Sequence, residues 1–471
     1  LANQRFDYDL IVIGSGPAGE KAAIEAAKMR KTTAIIERRS VQGGVCIHTG
    51  TIPSKTLRET AMYIAGLRQR SAYGLVDTMR RDVTVKDLMY RKDQVIQQEL
   101  DIIQQNMARH RIEVIQGFGV IKDENTVTIW REDADSKEIS GAIIVISTGT
   151  HSHHPDNIEF DHKYIYDAES ILELDILPRS LTIIGGGVIG CEYASIFGHI
   201  GINVTVIDAR ERLLSFLDRE IADALMYLMR KYRINLILGD GMKEVRHEGE
   251  QVATITKSGR KIVSDRMLVA AGRLGNTQNL GLEAVGIETD NRGLIKVNAQ
   301  YCTTVPNIYA VGDVIGFPSL ASVSMDQGRL AAIHAFKMGD TSCINSLLPI
   351  GIYTIPEVSM IGQTEEALSA SGQEYEVGIA RYFELARGQI INDHDGMLKL
   401  IFEPKSRRLL GVHIVGERAT ELIHIGQAVM TGGGTLDYFV DTVFNYPTLS
   451  EAYKIAAMDG FSRIFPGGQR K

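Results

Sequence analysis

One short pattern occurs twice in this chain, 171 residues apart, and no other feature constrains the fold as strongly. Leu10 to Ile13 is an apolar run followed by Gly14-Ser15-Gly16-Pro17-Ala18-Gly19. Leu181 to Ile184 is a second such run, followed by Gly185-Gly186-Gly187-Val188-Ile189-Gly190. A stretch of helical spacing comes next in each case, then another apolar run, Thr33 to Ile36 or Val204 to Ile207. Each of these ends in an acid, Glu37 or Asp208, 23 residues after the first glycine of its motif. A lone glycine pattern recurs by chance, but strand, glycine turn, helix and acid in that order form one physical unit. The first glycine makes the tight turn, the second lets a pyrophosphate approach the backbone, and the third lets helix and strand pack closely. The helix N-terminus presents free N–H groups to the phosphates, and the acid accepts hydrogen bonds from a ribose hydroxyl.

Two such units imply two dinucleotides, and a flavin with a hydride carrier is the economical pair. With two fingerprints in the chain, one nicotinamide site is expected. The length of 471 residues suits about three domains. Thr150 to Pro178 reads as a crossover into the second unit, and alternation from Val252 to Val269 reads as strands closing it. From Pro349 the pattern changes: Ile350 to Val358, Met397 to Phe402 and Leu409 to Val415 read as strands, and Ala419 to Met430 as a helix. The expected class is α/β: two Rossmann-like dinucleotide-binding domains plus a C-terminal α+β domain. The expected division is 1–150 with 275–348, then 151–274, then 349–471.

Composition narrows the function classes. A net charge of −7 with no basic run disfavours nucleic acid and anionic membrane as partners. Four cysteines exclude a disulfide scaffold and suit a reducing compartment. No apolar stretch approaches the roughly 18 residues of a membrane span. No signal peptide is visible before the first strand, and the sequence opens on Leu1 rather than Met, as if a few residues were removed or mis-assigned. The default reading is a soluble cytoplasmic protein.

After the first unit comes Gly43-Gly44-Val45-Cys46-Ile47-His48-Thr49-Gly50-Thr51-Ile52-Pro53-Ser54-Lys55. With the double repeat, this segment resembles the flavin-dependent pyridine nucleotide-disulfide oxidoreductases, whose pattern GGxCxxxGCxPxK carries two cysteines. Cys46 matches the first, and Thr51 stands in place of the second. Ser147-Thr148-Gly149 and Tyr309-Ala310-Val311-Gly312-Asp313 resemble further flavin-site turns. Ala270-Ala271-Gly272-Arg273 resembles the turn near the nicotinamide nucleotide. Phe444-Asn445-Tyr446-Pro447-Thr448-Leu449-Ser450-Glu451 resembles the C-terminal HxHPTxxE segment, with Tyr446 where the family has its acid-base histidine.

The resemblance covers almost the whole chain. It implies FAD held by Gly14, Gly16, Gly19, Glu37, Arg38, Gly43, Gly44, Val45, Cys46, Lys55, Gly119, Thr148, Gly149, Gly312, Asp313 and Ala321. It implies NAD(H) or NADP(H) held by Gly185, Gly187, Gly190, Asp208, Arg210, Arg212 and Gly272. It implies a homodimer or higher oligomer built on the C-terminal domain, with Tyr446 near the other subunit's flavin. Lys55 and Glu192 match an ion pair beside the flavin N5, where a lysine stabilises negative charge on the isoalloxazine. Glu451 matches the acid that orients the histidine.

Both departures fall on one function. Thiol-disulfide exchange needs a second sulfur and a proton-transferring group. Thr51 cannot pair with Cys46, and a phenol is a poor base near neutral pH. The other cysteines, Cys191, Cys302 and Cys343, match no redox position, and Cys46 reads as a packing thiol near the flavin or, alternatively, as a nucleophile. The nicotinamide–flavin half-reaction keeps its residues, so the catalytic candidates are Lys55, Glu192, Cys46, Thr51, Tyr446 and Glu451. The motif variants look like those of transhydrogenase members of the family, which implies hydride transfer between NADPH and NAD+ by a ping-pong route. One site would then have to take both a ribose 2′-hydroxyl, suited by Asp208, and a 2′-phosphate, which Arg210 or Arg212 would offset. The competing readings are an NAD(P)H:quinone reductase or diaphorase and a degenerate FAD-binding structural protein. No metal site is expected, and His151, His153 and His154 read as exposed loop residues.

Overall fold

Leu10, Ile11 and Val12 are fully buried, as are Ala34 and Ile35 of the next strand. Strands buried on both faces and joined by helical crossovers form a parallel sheet. The structure is a computed structural model and describes residues 5–68, 84–131, 134–339 and 347–465. In the first domain the parallel strands run in the order Glu113–Gln116, Thr33–Glu37, Tyr8–Ile13, the C-terminal half of Ala134–Ile146, and Ile308–Ala310. The N-terminal half of Ala134–Ile146 leaves this sheet and pairs antiparallel with Thr126–Arg131, which pairs with Phe118–Ile121.

The second unit repeats this plan. Its parallel order is Asn235–Leu238, Asn203–Asp208, Ser180–Ile184, Arg266–Val269 and Ile165–Asp167. Met242–Glu248, Gln251–Thr256 and Lys261–Ser264 form an antiparallel meander beside it. Thus only the last strand of the stretch from Val252 to Val269 closes the parallel sheet. The segment from Thr150 to Pro178 is more than a crossover, because it supplies the fifth strand, Ile165–Asp167. In both units the fifth strand comes from outside the contiguous repeat, so the periodicity does not carry it. Where the chain passes between the units, Thr150–Ser152 pairs antiparallel with Arg273–Gly275.

Helix Pro17–Lys28 begins with proline at its first position, where the missing N–H costs nothing. Its alanine face, Ala18, Ala22, Ala23 and Ala26, is buried. Helix Ala321–Ala335 lies against it so closely that a methyl group on Gly328 would overlap the Ala18 carbonyl oxygen. This contact brings the N-terminus of the second helix to the glycine turn that starts the first.

The third domain is a five-stranded antiparallel sheet in the order Ile350–Ile352, Val358–Gly362, Leu409–Val415, Met397–Phe402, Glu376–Arg381. The stretch Ile350 to Val358 is therefore two strands joined by a turn, not one; Pro356 has no N–H to give a ladder. Helix Ala419–Thr431 ends one residue later than its spacing suggests, with Gly432 as its C-cap. Every residue of Met397–Phe402 and Leu409–Val415 is buried, including Lys399 and His413. Lys399 Nζ lies 2.9 Å from Asp218 Oδ1 and 3.1 Å from Glu220 Oε2, and it also meets Glu365. Asp218 is the N-cap of helix Arg219–Lys231, so this cluster ties the second unit to the third domain. Burial opposes the lysine's charge, but the surrounding carboxylates outweigh it and hold its pKa above the usual lysine value. Among the described residues no helix is long and apolar enough to cross a membrane.

Candidate functional site

The two glycine turns assign the same three tasks to the same three positions. Gly14 and Gly185 adopt φ of +101° and +106°, and a Cβ on either would strike the carbonyl oxygen of Ser147 or Ala270 at the end of the neighbouring strand. A Cβ on Gly19 or Gly190 would overlap the carbonyl oxygen of Gly14 or Gly185, so the third glycine seats the helix on the turn. Gly16 and Gly187 face open space: among the described residues, nothing lies within 4 Å of where a methyl group on either would stand. The acids also act alike. Glu37 Oε2 accepts from the Ser15 N–H at 3.0 Å and its hydroxyl at 2.6 Å, and Oε1 accepts from the Arg39 N–H at 2.9 Å. Asp208 Oδ2 accepts from the Gly186 N–H at 2.5 Å, and Oδ1 accepts from the Arg210 N–H at 2.8 Å. Each acid thus braces its own turn before any ribose arrives.

A cavity of about 490 Å³ opens beside the first turn. Gly14, Gly16, Glu37, Arg38, Gly44, Val45, Cys46, Thr51, Gly119, Thr148, Gly149, Gly312, Asp313 and Ala321 line it. Gly19 and Gly43 shape it from behind: a Cβ on Gly43, at φ +106°, would lie 2.7 Å from Ile47 Cγ1. Lys55 stands apart from the lining and is engaged by Glu192. A volume in the range of ligand sites, a helix N-terminus at its wall and the buried Thr148 hydroxyl, unpartnered among the described residues, all fit a dinucleotide such as FAD. Burial pushes the Asp313 carboxyl up, against the pull of Arg273 and the Thr150 hydroxyl at 3.3 Å.

His151 and Asn276 also line the cavity, although neither belongs to a motif. His151 is not an exposed loop residue: it lies half-buried in the strand Thr150–Ser152, with Nδ1 2.7 Å from Asn276 Oδ1. Asn276 Nδ2 donates to the Thr148 carbonyl at 2.9 Å. His153 is half-buried as well, and only His154 is exposed, stacked on Phe160 and 2.6 Å from Asp167 Oδ2. The reason is the pairing of the two crossing segments, which converts the apparent loop into a strand. The short run Thr150-His151-Ser152 carries too little alternation to reveal that on its own.

Helix Thr51–Arg68 and helix Val188–His199 bring Lys55 and Glu192 together across the two units. Lys55 Nζ lies 3.0 Å from Oε1 and 2.8 Å from Oε2 of Glu192, which is 4% exposed. Tyr353, from the third domain, donates its backbone N–H to Glu192 Oε1 at 2.9 Å, and Lys55 Nζ sits 4.9 Å from its ring centroid. Tyr353 belongs to no motif, and its position follows only from the packing of three domains.

Cys46 lies in the short helix Gly44–His48 and is partly buried. Burial pushes its thiol up, with the Thr51 hydroxyl opposing. Cys191 and Cys302 are buried elsewhere, and Cys343 lies outside the described residues. Among the described residues no second thiol reaches Cys46.

At the second turn Arg210 grips Asp208 with both arms, Nε to Oδ1 at 2.9 Å and one terminal nitrogen to Oδ2 at 2.7 Å. Burial works against the Asp208 charge, but these donors hold its carboxyl below the usual range. Arg212 points away, to the Ser215 carbonyl at 3.3 Å and Glu366 of the third domain at 3.7 Å. Gly272, at φ +106°, accepts the His153 N–H at 2.9 Å. Tyr446 is 72% exposed on the third domain and is not part of the cavity wall that carries Cys46. Glu451 starts helix Glu451–Ile464, and one of its carboxylate oxygens is buried without a partner among the described residues. Among the described residues the one group with metal-ligand spacing, Asp218, Glu220 and Glu365, is the cluster that surrounds Lys399.

Comparison with known proteins gives consistent findings. The family profile described as pyridine nucleotide-disulphide oxidoreductase matches residues 8–328, and its dimerisation-domain profile matches 348–457. The soluble pyridine nucleotide transhydrogenase of Mycobacterium bovis is 47% identical over 462 residues, 97% of this chain and 98% of that one. The protein of that name from Colwellia psychrerythraea is 44% identical over 463 residues, 98% of this chain and 99% of that one. Among solved structures, the HOCl-induced flavoprotein disulfide reductase RclA from Escherichia coli superposes with a TM-score of 0.87 at 28% identity, covering 96% of this chain and 99% of that one. LpdA from Mycobacterium tuberculosis gives a TM-score of 0.88 at 25% identity, covering 95% and 99%.

Proposed function

Since the chain belongs to the pyridine nucleotide-disulphide oxidoreductase family, we propose that it catalyses NADPH + NAD+ = NADP+ + NADH, a pyridine nucleotide transhydrogenation. FAD, when bound in the first domain, supplies a two-electron relay between the nucleotides. The division of labour is residues 1–150 with 275–348 for FAD, 151–274 for NAD(P), and 349–471 for the contact between subunits of a homodimer. One nicotinamide site serves both nucleotides in turn, so the first must leave before the second enters.

In the second unit the N-terminus of helix Val188–His199 receives the pyrophosphate, with Gly187 open to it. Asp208 accepts a ribose 2′-hydroxyl. Arg210, already lying on that carboxylate, offsets its charge when a 2′-phosphate comes instead. Lys55 places a cation, and Glu192 holds it, at the junction of the two units.

The observation that carries this reading is the contrast between the two half-sites. The Lys55–Glu192 pair is intact, while Thr51 and Tyr446 occupy the positions that thiol-disulfide exchange needs for sulfur and base. The test is anaerobic. NADPH should bleach the bound flavin, and added NAD+ should restore its absorbance with formation of NADH. Flavin that NADPH reduces but only a quinone re-oxidises would replace this reading with quinone reduction.

A further inference from the structure

Glu192 and Lys55 face each other from helices of different domains, so neither helix alone fixes their geometry. The third domain does. Residues Tyr353 to Glu357, the turn after the strand Ile350–Ile352, grip helix Thr51–Arg68 at two levels. Arg58, 2% exposed and three residues beyond Lys55, donates from Nε to the Thr354 carbonyl at 2.9 Å and pairs with Glu357 at 3.2 Å. Glu357 is buried too and accepts from the Thr420 hydroxyl at 2.7 Å. One turn of helix back, the Tyr353 backbone N–H meets Glu192 Oε1 at 2.9 Å, and the face of its ring receives the Lys55 ammonium at 4.9 Å. A cation within about 6 Å of an aromatic centroid is attracted by the ring quadrupole, more strongly when partly desolvated.

We propose that Tyr353 is a positioning residue for the Lys55–Glu192 pair, its ring holding the ammonium and its main chain aiming the carboxylate. The proposal rests on the reading of that pair as the charge beside a bound flavin. Any substitution keeps the main-chain bond, so replacing the side chain isolates the ring. A lysine held near the flavin favours its electron-rich form, so a lysine released from the ring lowers the midpoint potential.

The experiment is a mediator-equilibrated redox titration of the holoenzyme, which needs no nucleotide turnover, for wild type, Tyr353→Phe and Tyr353→Leu. Each is repeated with Lys55→Met. Tyr353→Leu should shift the two-electron equilibrium by about threefold to tenfold, a drop of about 14 to about 30 mV at 29.6 mV per tenfold. Tyr353→Phe should stay at the wild-type value, and Tyr353→Leu should add nothing once Lys55 is Met. Stopped-flow reduction by NADPH should show the same pattern in the limiting rate, with nucleotide Kd within about twofold of wild type. If the Leu protein loses its flavin, Tyr353→Met replaces it. A wild-type potential in the Leu or Met protein, an equal drop in the Phe protein, or a drop that persists without Lys55 overturns the proposal. A wild-type flavin that neither nucleotide reduces would overturn the transhydrogenase reading instead, and the potentials would still decide the role of Tyr353.

Discussion

Arg210 and Arg212 stand two residues apart on one loop, yet their partners divide them. Arg210 lies on the acid at the end of the second β-run, and Arg212 is drawn to Glu366 of another domain. The expected outcome is therefore unequal. Arg210→Ala should raise KM for NADPH by about tenfold or more, the loss of a charge-assisted contact worth roughly 1.5–3 kcal/mol. KM for NADH should change by about threefold at most. Arg212→Ala should leave both within about twofold; steady-state kinetics with each nucleotide checks the pair. Cys46 supports a second prediction. Burial raises its thiol pKa, so the thiolate fraction at neutral pH falls below that of a free cysteine. Alkylation of Cys46, followed by peptide mass mapping, should be slow near neutrality and accelerate only above the ordinary thiol range. Cys46→Ser should retain nucleotide-to-nucleotide hydride transfer within about threefold; a loss of two orders of magnitude would make the thiol a participant.

Helix Arg219–Lys231 shows how an element end can join two domains. Its N-cap, Asp218, accepts from the Glu220 N–H at 3.2 Å and also faces the buried Lys399. Burial resists the Asp218 charge, but His413, Lys399 and backbone donors hold its carboxyl below the usual range. A depressed carboxylate pKa gives stability that is full above the unfolded value, near 3.9, and lost as pH falls through the folded one. Melting temperature should therefore fall steeply below about pH 4, and Asp218→Asn, which keeps a cap acceptor, should be less stable near neutrality but flatter toward acid. Lys399→Met removes the shared counter-ion of three acids. It should cost about 3–5 kcal/mol, the scale for breaking a buried pair, read as loss of thermal stability. The sequence shows such elements unevenly. The two glycine turns are legible because each glycine's task is local, and the strands Met397–Phe402 and Leu409–Val415 because they are continuous apolar runs. Ile165–Asp167 and the strand holding His151 are not, because three residues carry no period and their pairing partners lie about a hundred or more residues away. Tyr353 is illegible for the same reason: its partners, Lys55 and Glu192, come from two other domains, far off in sequence.

At the scale of the whole molecule, the proposed single nicotinamide site makes a prediction about kinetics. Two copies of one architecture stand side by side, joined by the paired crossing strands and clamped at Lys55–Glu192. One copy holds the cavity that fits FAD, and the proposed function assigns the other to the nicotinamide nucleotides. If both nucleotides must use that copy, they cannot be bound together, and a ternary complex of the two is geometrically forbidden. Initial rates at several fixed NAD+ concentrations should then give parallel lines in double-reciprocal plots against NADPH. High NAD+ should inhibit competitively against NADPH, because it occupies the same cleft before NADPH has delivered its hydride. Arg210→Ala sharpens this test. It should move the NADPH terms and leave the lines parallel, since it alters occupancy of a shared site without creating another. Lines that intersect to the left of the axis would require both nucleotides on one subunit at once, and the second unit as built from Gly185 to Asp208 offers one glycine turn, one helix N-terminus and one acid at the end of its second strand to hold them.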